Sequence, residues 1–433
     1  MQIYGKELMQ IKKLDFGKIN TELAAFARSG DSSINSEYLE ISKKNLEEIV
    51  SRDSEYVTNK TVEFLPLNRL NSQNEKKEIS KAIENVIESG QYTSGPNTLI
   101  LEDTISSIYG KNYSCVGVAS GTAALEISLR AMNIENGDEV ILPVNSFAAT
   151  ENAVMSVGAI PVFANIDESF NISPNEIQKL RTKKTKAVIP VCLYGSITNL
   201  AEVYLASKKF DLKVVVDAAQ CFGIKEITSF ADIIALSFNP FKNLGASGKA
   251  GAIVFGKDKL LKRKLREISY HGFDPEIKNM KSRDWGYNLK IDNIQSSVVV
   301  AKMPFFRINA IKRAYFAQKY IHFLSEIDSD IFDMPLFSNQ HTWHLFPLLV
   351  KKGLRDKFID FMKNNGIGTD IFYPILSCNY NTQLADRASK HNNFKKSVEL
   401  HDLLVNLPIY NHFSLEEQSK VFSAMSDFIS MHE

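Results

Sequence analysis

Residues Ala235–Phe255 read Ala-Leu-Ser-Phe-Asn-Pro-Phe-Lys-Asn-Leu-Gly-Ala-Ser-Gly-Lys-Ala-Gly-Ala-Ile-Val-Phe. An apolar run ends at Ser237, a proline turn presents Lys242, and small residues precede a second apolar run. Upstream, Val214–Gln220 reads Val-Val-Val-Asp-Ala-Ala-Gln and places Asp217 at the end of another apolar run. Short apolar runs bounded by turn residues are typical of buried strands, so we expect Asp217 and Ser237 at neighbouring strand ends.

Similar apolar runs alternate with helical patterns over the middle of the chain. Strands are predicted at Tyr113–Val118, Glu139–Leu142, Ile160–Ala164, Ala187–Val191, Lys213–Val216, Ile233–Ser237 and Ala250–Phe255. Helices are predicted at Asn74–Ser89, after the turn-rich stretch 90–96 as far as Tyr109, and at Thr122–Met132, Ala148–Val157, Pro174–Leu180 and Leu200–Phe210. This alternation predicts an α/β fold, in which right-handed crossovers build a mostly parallel sheet covered by helices on both faces.

The whole chain is predicted to have three parts. Residues 1–62 are polar and are predicted to form an N-terminal helical extension, with short helices at Lys18–Arg28 and Ser42–Val50. Residues 63–300 form the large α/β domain, and residues 301–433 form a smaller C-terminal α+β domain. In the latter we predict strands at Trp343–Val350 and Asp370–Tyr373 and helices at Leu354–Asn364 and Leu415–Met431.

Length, charge and cysteine content limit the classes of protein to which this sequence can belong. The chain has 433 residues, which favours two domains, and its hydrophobic content of 44% is ordinary for a globular protein. A net charge of +1 gives no overall field for nucleic acid or an anionic membrane. The charged N-terminal residues and the four scattered cysteines favour a cytoplasmic protein with free thiols and no zinc site, and no apolar run is long enough to cross a membrane.

Lys242 and Asp217 together suggest a cofactor. A lysine that can form a Schiff base and an aspartate that can pair a pyridinium nitrogen are the two groups that pyridoxal 5′-phosphate (PLP) needs from a protein. Each residue also has an ordinary reading, because most lysines are solvated and an aspartate after a strand often caps a helix. The pair in one sheet favours PLP over those readings.

Further polar residues follow the strand ends, where ligands of open α/β sheets bind. Ser120, Gly121 and Thr122 open a helix, whose N-terminus can hold a phosphate, and Ser237 can donate to the same group. A helix cap is the ordinary role of such a turn. Phe147 is a candidate to stack on the ring or simply to pack in the core. The loop Gly245–Gly251 has neither a dinucleotide nor a P-loop spacing, and no His/Cys cluster suggests a metal.

In order along the chain, these motifs resemble the DegT/DnrJ/EryC1/StrS family of PLP-dependent sugar aminotransferases, over about residues 64–429. The resemblance rests on the stretches that begin at Gly90, Ala119, Asn145, Gly158 and Pro190, on Asp217-Ala-Ala-Gln220, on Ser237–Lys242 and on Gly286-Tyr-Asn288. It implies the type I aminotransferase fold, L-glutamate and a keto-sugar phosphate as substrates, and a homodimer that shares its active sites between subunits.

The resemblance also implies residue roles. Lys242 would hold the cofactor and move the proton, and Asp217 would keep the pyridine nitrogen protonated. The other implied cofactor contacts are Gln220 to O3′, Phe147 to the ring, Ser120, Gly121, Thr122 and Ser237 to the phosphate, and Asn288 to the phosphate of the neighbouring subunit. The candidate substrate contacts are Lys249, His271, Arg283, His344 and Tyr373.

Two departures from the wider family bear on the sugar. Asn239 stands where most members have histidine, and Lys249 stands where many have glutamate. Both resemble the kanosamine branch, which implies transfer of the glutamate amino group to the C3 ketone of 3-oxo-glucose 6-phosphate, giving kanosamine 6-phosphate and 2-oxoglutarate. The alternatives are a nucleotide-linked 3- or 4-keto-sugar aminotransferase and, from another class, a non-catalytic PLP-binding regulator. Lys242 argues against a dehydratase, since dehydratase relatives carry histidine there.

Overall fold

The computed structural model describes residues 14–29, 35–36, 41–42, 48 and 61–433, and of residues 26–29, 35–36, 41–42, 387 and 389–391 the backbone alone. Its helices are α1 Phe16–Ser29, α2 Gln73–Ser89, α3 Pro96–Tyr109, α4 Gly121–Ala131, α5 Ala148–Ser156, α6 Pro174–Leu180, α7 Leu200–Lys208, α8 Lys259–Ser269, α9 Asn293–Glu326, α10 Arg355–Asn364, α11 Gln383–His391, α12 Lys395–His401 and α13 Leu415–His432. Its strands are β1 Asn35–Ser36, β2 Ile41–Ser42, β3 Tyr113–Val118, β4 Glu139–Pro143, β5 Ile160–Ala164, β6 Thr185–Val188, β7 Lys213–Asp217, β8 Ile233–Ser237, β9 Gly251–Gly256, β10 Phe332–Asp333, β11 Phe346–Val350 and β12 Leu404–Leu407.

A seven-stranded sheet organises the large domain. Its strand order is β3-β9-β8-β7-β6-β4-β5, and β9 runs antiparallel to both of its neighbours while the other adjacent pairs are parallel. The strands carry consecutive buried apolar residues, as Val214, Val215 and Val216 show in β7. Such runs are expected where helices cover both faces of a sheet. The predicted α/β class with a mostly parallel sheet is confirmed.

Sheet order explains where the site must lie. Strands β3, β7 and β8 point the same way, so Ser120, Asp217 and Ser237 all meet at the carboxyl edge of the sheet. Helix α4 starts there because the Ser120 hydroxyl accepts a hydrogen bond of 3.0 Å from the Ala123 amide. The fold therefore brings the three predicted strand ends together.

The C-terminal part is α+β. Strands β10, β11 and β12 form an antiparallel sheet, against which α10 and α13 pack. Helix α9 leads into it and is 34 residues long, with Pro304 inside. The boundary predicted at residue 300 thus falls within a continuous helix.

Several local predictions differ from the structure. The strand predicted at Ala187–Val191 spans Thr185–Val188. The strand predicted from Trp343 begins at Phe346, because Trp343 has a left-handed φ of 51° that no strand accommodates. The segment 370–373 makes an isolated bridge from Asp370 to Asn406 and forms no strand. Most of the helix predicted at 42–50 lies outside the described residues, and Ser42 itself pairs with Asn35 in a two-stranded sheet.

Helix α1 belongs to the core of the protein. Phe16, Ile19 and Leu23 are each at most 2% exposed, and the helix packs against α9. Three apolar side chains at helical spacing explain why this part of the polar N-terminal region is anchored. No described helix is both long and apolar enough to span a membrane.

Candidate active site

A cavity of about 690 Å³ opens at the carboxyl edge of the sheet. Most of the residues that line it come from five segments at or just after the carboxyl ends of β3, β4, β6, β7 and β8. The predicted residues among its lining are Ser120, Gly121, Thr122, Phe147, Asp217, Gln220, Ser237, Asn239, Lys242, Lys249 and Tyr373. Cofactor and substrate candidates that are far apart in sequence are thus gathered in one cavity.

Lys242 lies in the turn after β8. Its amide donates a hydrogen bond of 2.8 Å to the Asn239 carbonyl, which closes the turn. The side chain is partly buried, and burial lowers its pKa to about 8, against the opposing attraction of Asp217 and Cys221. A lysine with this pKa is partly neutral near pH 8, which is what a nucleophilic amine requires.

Asp217 lies at the end of β7 and is 7% exposed. Its carboxylate accepts a hydrogen bond of 3.0 Å from the Thr150 hydroxyl and one of 3.1 Å from the Ala219 amide. Burial raises the pKa of Asp217, while these two donors and Lys242 act against that rise. The two donors orient the carboxylate and stabilise its charged form.

The same cavity that holds Lys242 and Asp217 contains a narrow site suited to an anion, which we call the Gly121–Ser237 cradle. A Cβ added at Gly121 would come within 2.8 Å of the Ser237 Cβ, so the N-terminus of α4 and the end of β8 approach each other because residue 121 is glycine. The amides of the first turn of α4, the Thr122 side chain and the Ser237 hydroxyl surround this point of the cavity. Helix N-termini of this kind bind phosphate.

The side chain of Gln220 is held in place by two hydrogen bonds. Its Oε1 accepts a hydrogen bond from the Tyr194 amide, and its Nε2 donates one of 3.0 Å to the Tyr373 hydroxyl. The ring of Tyr373 lies 5.6 Å from that of Phe147, centroid to centroid. Phe147 is 57% exposed, so it is a ring presented to the cavity and not a core side chain.

Four predicted residues lie outside the cavity lining of this single chain. Asn288 is exposed and bridges Tyr270, and His271 is exposed beside it. Arg283 forms an ion pair of 2.6 Å with Glu267. His344 is buried with its Nδ1 2.9 Å from the Asn243 Oδ1, and burial holds its pKa well below the usual value.

Sequence reasoning missed several contributors. Thr150 is fully buried and donates to Asp217, and Phe241 and Phe372 line the cavity. A signal for Thr150 existed, since it is a polar residue one helical turn after Phe147 within the quoted Asn145–Ala153 motif. Asn243 and Thr342 had no such signal, because their hydrogen bond joins segments 99 residues apart.

The residues present fit PLP. Asp217 can pair the pyridine nitrogen, the Lys242 Nζ can bond the aldehyde carbon, and the narrow Gly121–Ser237 cradle suits the phosphate. Phe147 offers a ring face in the same cavity. Among the described residues no group of three or more His, Cys, Asp or Glu is arranged to bind a metal ion.

Comparison with known proteins agrees with this arrangement. A 3-oxo-glucose-6-phosphate:glutamate aminotransferase of Bacillus subtilis is 35% identical over 91% of this chain and 90% of its own length. A dTDP-3-amino-3,6-dideoxy-alpha-D-galactopyranose transaminase of Aneurinibacillus thermoaerophilus is 33% identical over 85% of this chain and 99% of its own. The crystal structure of NtdA from Bacillus subtilis with bound cofactor PMP superposes with a TM-score of 0.88 at 32% identity, covering 96% of this chain and 99% of that one.

The family match covers most of the chain. The DegT/DnrJ/EryC1/StrS aminotransferase family matches residues 73–426, which include every element of the cavity described above. The resemblance stated from the sequence motifs is therefore confirmed. The chain belongs to the DegT/DnrJ/EryC1/StrS aminotransferase family.

Proposed function

We propose that this protein is a PLP-dependent aminotransferase that moves the amino group of L-glutamate to the C3 ketone of 3-oxo-glucose 6-phosphate. The products would be 2-oxoglutarate and kanosamine 6-phosphate. The observation that carries the proposal is the placement of Lys242, Asp217 and the Gly121–Ser237 cradle in one cavity of a family aminotransferase. The relative from Bacillus subtilis, which is named for the same activity, supports the choice of substrate.

PLP would supply an electron-withdrawing ring that takes up the electrons released when the amino-acid Cα loses its proton. Asp217 would hold the proton on the ring nitrogen, which keeps the ring electron-poor. Thr150 and the Ala219 amide donate hydrogen bonds to that carboxylate, which favour its ionised form and fix its orientation. A buried, oriented ion pair of this kind needs no reorganisation during reaction.

Lys242 would act twice. Its Nζ would hold the cofactor at rest, and once the substrate amine displaces it, the free amine would accept the Cα proton and return it on the cofactor side. Burial lowers the pKa of Lys242 to about 8, so a useful fraction is neutral near physiological pH. The same residue then serves the second half-reaction in reverse order.

The cavity wall suggests how the sugar is chosen. Lys249 and Asn239 line the same cavity as Lys242, and Lys249 is exposed and pairs with no carboxylate among the described residues. An ammonium group of this kind would attract a sugar phosphate. Tyr373 is the other predicted substrate contact in the lining, while His271, Arg283 and His344 lie outside it.

A nucleotide-linked keto sugar is the second candidate substrate. The observation that favours it is the 33% identity with a transaminase named for a dTDP sugar, over 99% of that protein's length. The charge of Lys249 does not distinguish a sugar phosphate from a nucleotide-linked sugar, because both carry phosphate. The two candidates therefore need a direct comparison.

We further propose a homodimer in the cytoplasm, with Asn288 reaching the cofactor phosphate of the partner subunit. Asn288 is exposed on the loop after α8 and does not line the cavity of its own chain, which leaves it available to a second copy. All four cysteines are buried and, in the described part of the chain, none forms a disulfide, which fits a reducing compartment.

The test is a pair of half-reactions followed by absorbance. The protein carrying pyridoxamine phosphate is mixed with 3-oxo-glucose 6-phosphate or with nucleotide-linked 3- and 4-keto sugars. We expect rapid return to the PLP spectrum with the sugar phosphate. Oxidation by the nucleotide sugars alone would overturn the substrate and favour the second candidate, and no cofactor spectrum at all would overturn the enzyme class.

A further inference from the structure

Asn20 is a polar residue of helix α1 whose side chain lies in the protein interior. Asn20 is 2% exposed, and both the Nδ2 and the Oδ1 of its side chain are hydrogen-bonded. Its Nδ2 donates to the carbonyls of Asn339 and His341 at 2.7 and 3.0 Å, and its Oδ1 accepts from the Trp343 indole Nε1 at 2.6 Å. A buried amide with every bond satisfied specifies one arrangement of its neighbours.

Asn20 is hydrogen-bonded to the segment formed by residues 339–343. The backbone of this segment is unusual. Trp343 has a φ of 51°, a left-handed conformation that bulky residues rarely adopt. The His341 ring stacks on the indole with centroids 3.9 Å apart, and the His341 Nδ1 accepts from the Trp343 amide at 2.9 Å. Strained residues persist where their surroundings fix them, and they cluster at functional sites.

Thr342 lies within this segment and is hydrogen-bonded to Gln220 and Asn243, which belong to the two loops around the proposed cofactor site. Its hydroxyl donates a hydrogen bond of 2.7 Å to the Gln220 carbonyl, and its own carbonyl accepts one of 3.0 Å from the Asn243 Nδ2. Gln220 lines the cavity, and Asn243 directly follows Lys242 in the chain. Thr342 therefore joins the two loops that hold the predicted cofactor contacts.

The fit at Thr342 leaves little room for movement. A Cβ added at Gly195 would lie 2.2 Å from the Thr342 Oγ1, and the Thr342 amide donates 2.9 Å to the Gly195 carbonyl. The neighbouring Tyr194 amide bonds the Gln220 side chain. A displacement of Thr342 would thus move both the backbone and the side-chain support of Gln220.

From this chain of contacts we infer that Asn20 is a positioning residue for the cofactor site. It fixes residues 339–343 in their strained form and, through Thr342, fixes Gln220 and the loop that carries Lys242. The N-terminal extension is in this way part of the active-site architecture, although it lies before the family match that begins at residue 73. The inference rests on the PLP assignment proposed above.

The experiment measures PLP affinity by absorbance titration in the full chain. The Asn20→Ala and Thr342→Val variants each remove hydrogen bonds in the chain of contacts, and we expect either to weaken PLP binding about threefold to tenfold. Thr342→Ser keeps the hydroxyl and should retain wild-type affinity. Asn20→Asp keeps the side-chain volume without the amide donors and decides the matter if Asn20→Ala does not fold.

Leu23→Ala is the matched control. Leu23 lies on the same helix at 1% exposure and anchors it through apolar packing. Its truncation should lower the thermal midpoint of the apoprotein and leave PLP affinity unchanged. Asn20→Ala combined with Thr342→Val should weaken affinity less than the product of the two single effects, because both act through one segment.

The outcomes separate the two proposals. If wild-type protein binds PLP and both Asn20 variants bind it as Leu23→Ala does, the positioning role is wrong and the proposed function stands. If the combined variant shows the full product of the single effects, Asn20 does not act through Thr342. If wild-type protein binds no PLP, the proposed function itself fails.

Discussion

The Thr150 hydroxyl donates a hydrogen bond of 3.0 Å to the Asp217 carboxylate, inside the protein and away from solvent. Hydrogen bonds to the charged form lower a carboxyl pKa, so Thr150 opposes the rise that burial imposes on the pKa of Asp217. Removing the hydroxyl should raise that pKa further. The protonated form cannot hold a proton on the pyridine nitrogen.

We therefore predict that Thr150→Val lowers kcat/KM about tenfold, the worth of one hydrogen bond to a charged group. The acidic limb of the pH–rate profile should move to higher pH, because the variant carboxyl protonates sooner. Thr150→Ser keeps the donor and should restore the wild-type profile. An unshifted limb in Thr150→Val would show that Thr150 does not tune Asp217.

Uptake of PLP by the apoprotein should depend on pH through Lys242. Its amine must be neutral to attack the aldehyde, and burial lowers its pKa to about 8. The uptake rate should rise with pH and level off above about 8. Stopped-flow absorbance measures it, and a rise that continued toward the ordinary lysine value of 10.5 would contradict the lowered pKa.

Lys249→Ala should impair the keto-sugar half-reaction and spare the glutamate half-reaction. We expect the KM for 3-oxo-glucose 6-phosphate to rise about tenfold or more, from loss of a charge-assisted hydrogen bond. The glutamate half-reaction should be unchanged. Lys257→Ala removes an exposed lysine beyond the other end of β9 and serves as the control. An equal effect of both variants would leave no specific role for Lys249.

Mixed dimers can test the shared site. Lys242→Ala alone should abolish turnover, and Asn288→Ala alone should weaken cofactor binding. If Asn288 acts on the partner subunit, a heterodimer of the two variants contains one intact site, so mixing should restore activity. Activity no higher than that of Asn288→Ala alone would place Asn288 in the site of its own chain or in none.

Glu75 is predicted to stabilise the fold outside the active site. It accepts hydrogen bonds from Asn309 at 3.0 Å and from the Ser72 amide at 2.7 Å, and its Oε2 lies 3.2 Å from the His412 Nε2. Although burial opposes it, the bonds to His412 and Ser72 and the charge of Lys302 lower the pKa of Glu75 to about 2. Glu75→Gln should reduce the free energy of unfolding by about 3 kcal/mol at neutral pH, since it leaves buried Lys302 uncompensated.

The pH dependence of that effect has a definite sign. The folded pKa of Glu75 lies below its ordinary value of 4.5, so its stabilisation is complete above that value and is lost as pH falls toward about 2. Denaturant midpoints of wild-type protein and Glu75→Gln should therefore converge in acid. A constant difference down to low pH would exclude the charge of Glu75 as the cause.

Sequence patterns located the centre of the site well and its supports poorly. Asp217, Ser237 and Lys242 follow strands that the apolar runs reveal, and parallel strands bring their carboxyl ends to one edge. His344, a predicted substrate contact, lies outside the cavity lining and is buried against Asn243, a contact between residues 101 positions apart that no local pattern indicates. The bond from Asn20 to Trp343 spans 323 positions and leaves no periodic signal. Long-range polar contacts of this kind are visible only once the chain is folded.

The loop between β8 and β9 enters and leaves the cavity through two fixed ends. At one end Ser237 meets Gly121, and at the other a Cβ on Gly251 would lie 2.5 Å from the Ser120 backbone. Between these ends lie Asn239 and Lys249, the two residues that the resemblance described above marks as departures from the wider family. The two ends of this loop are therefore confined by close contacts, whereas Asn239 and Lys249 between them line the cavity.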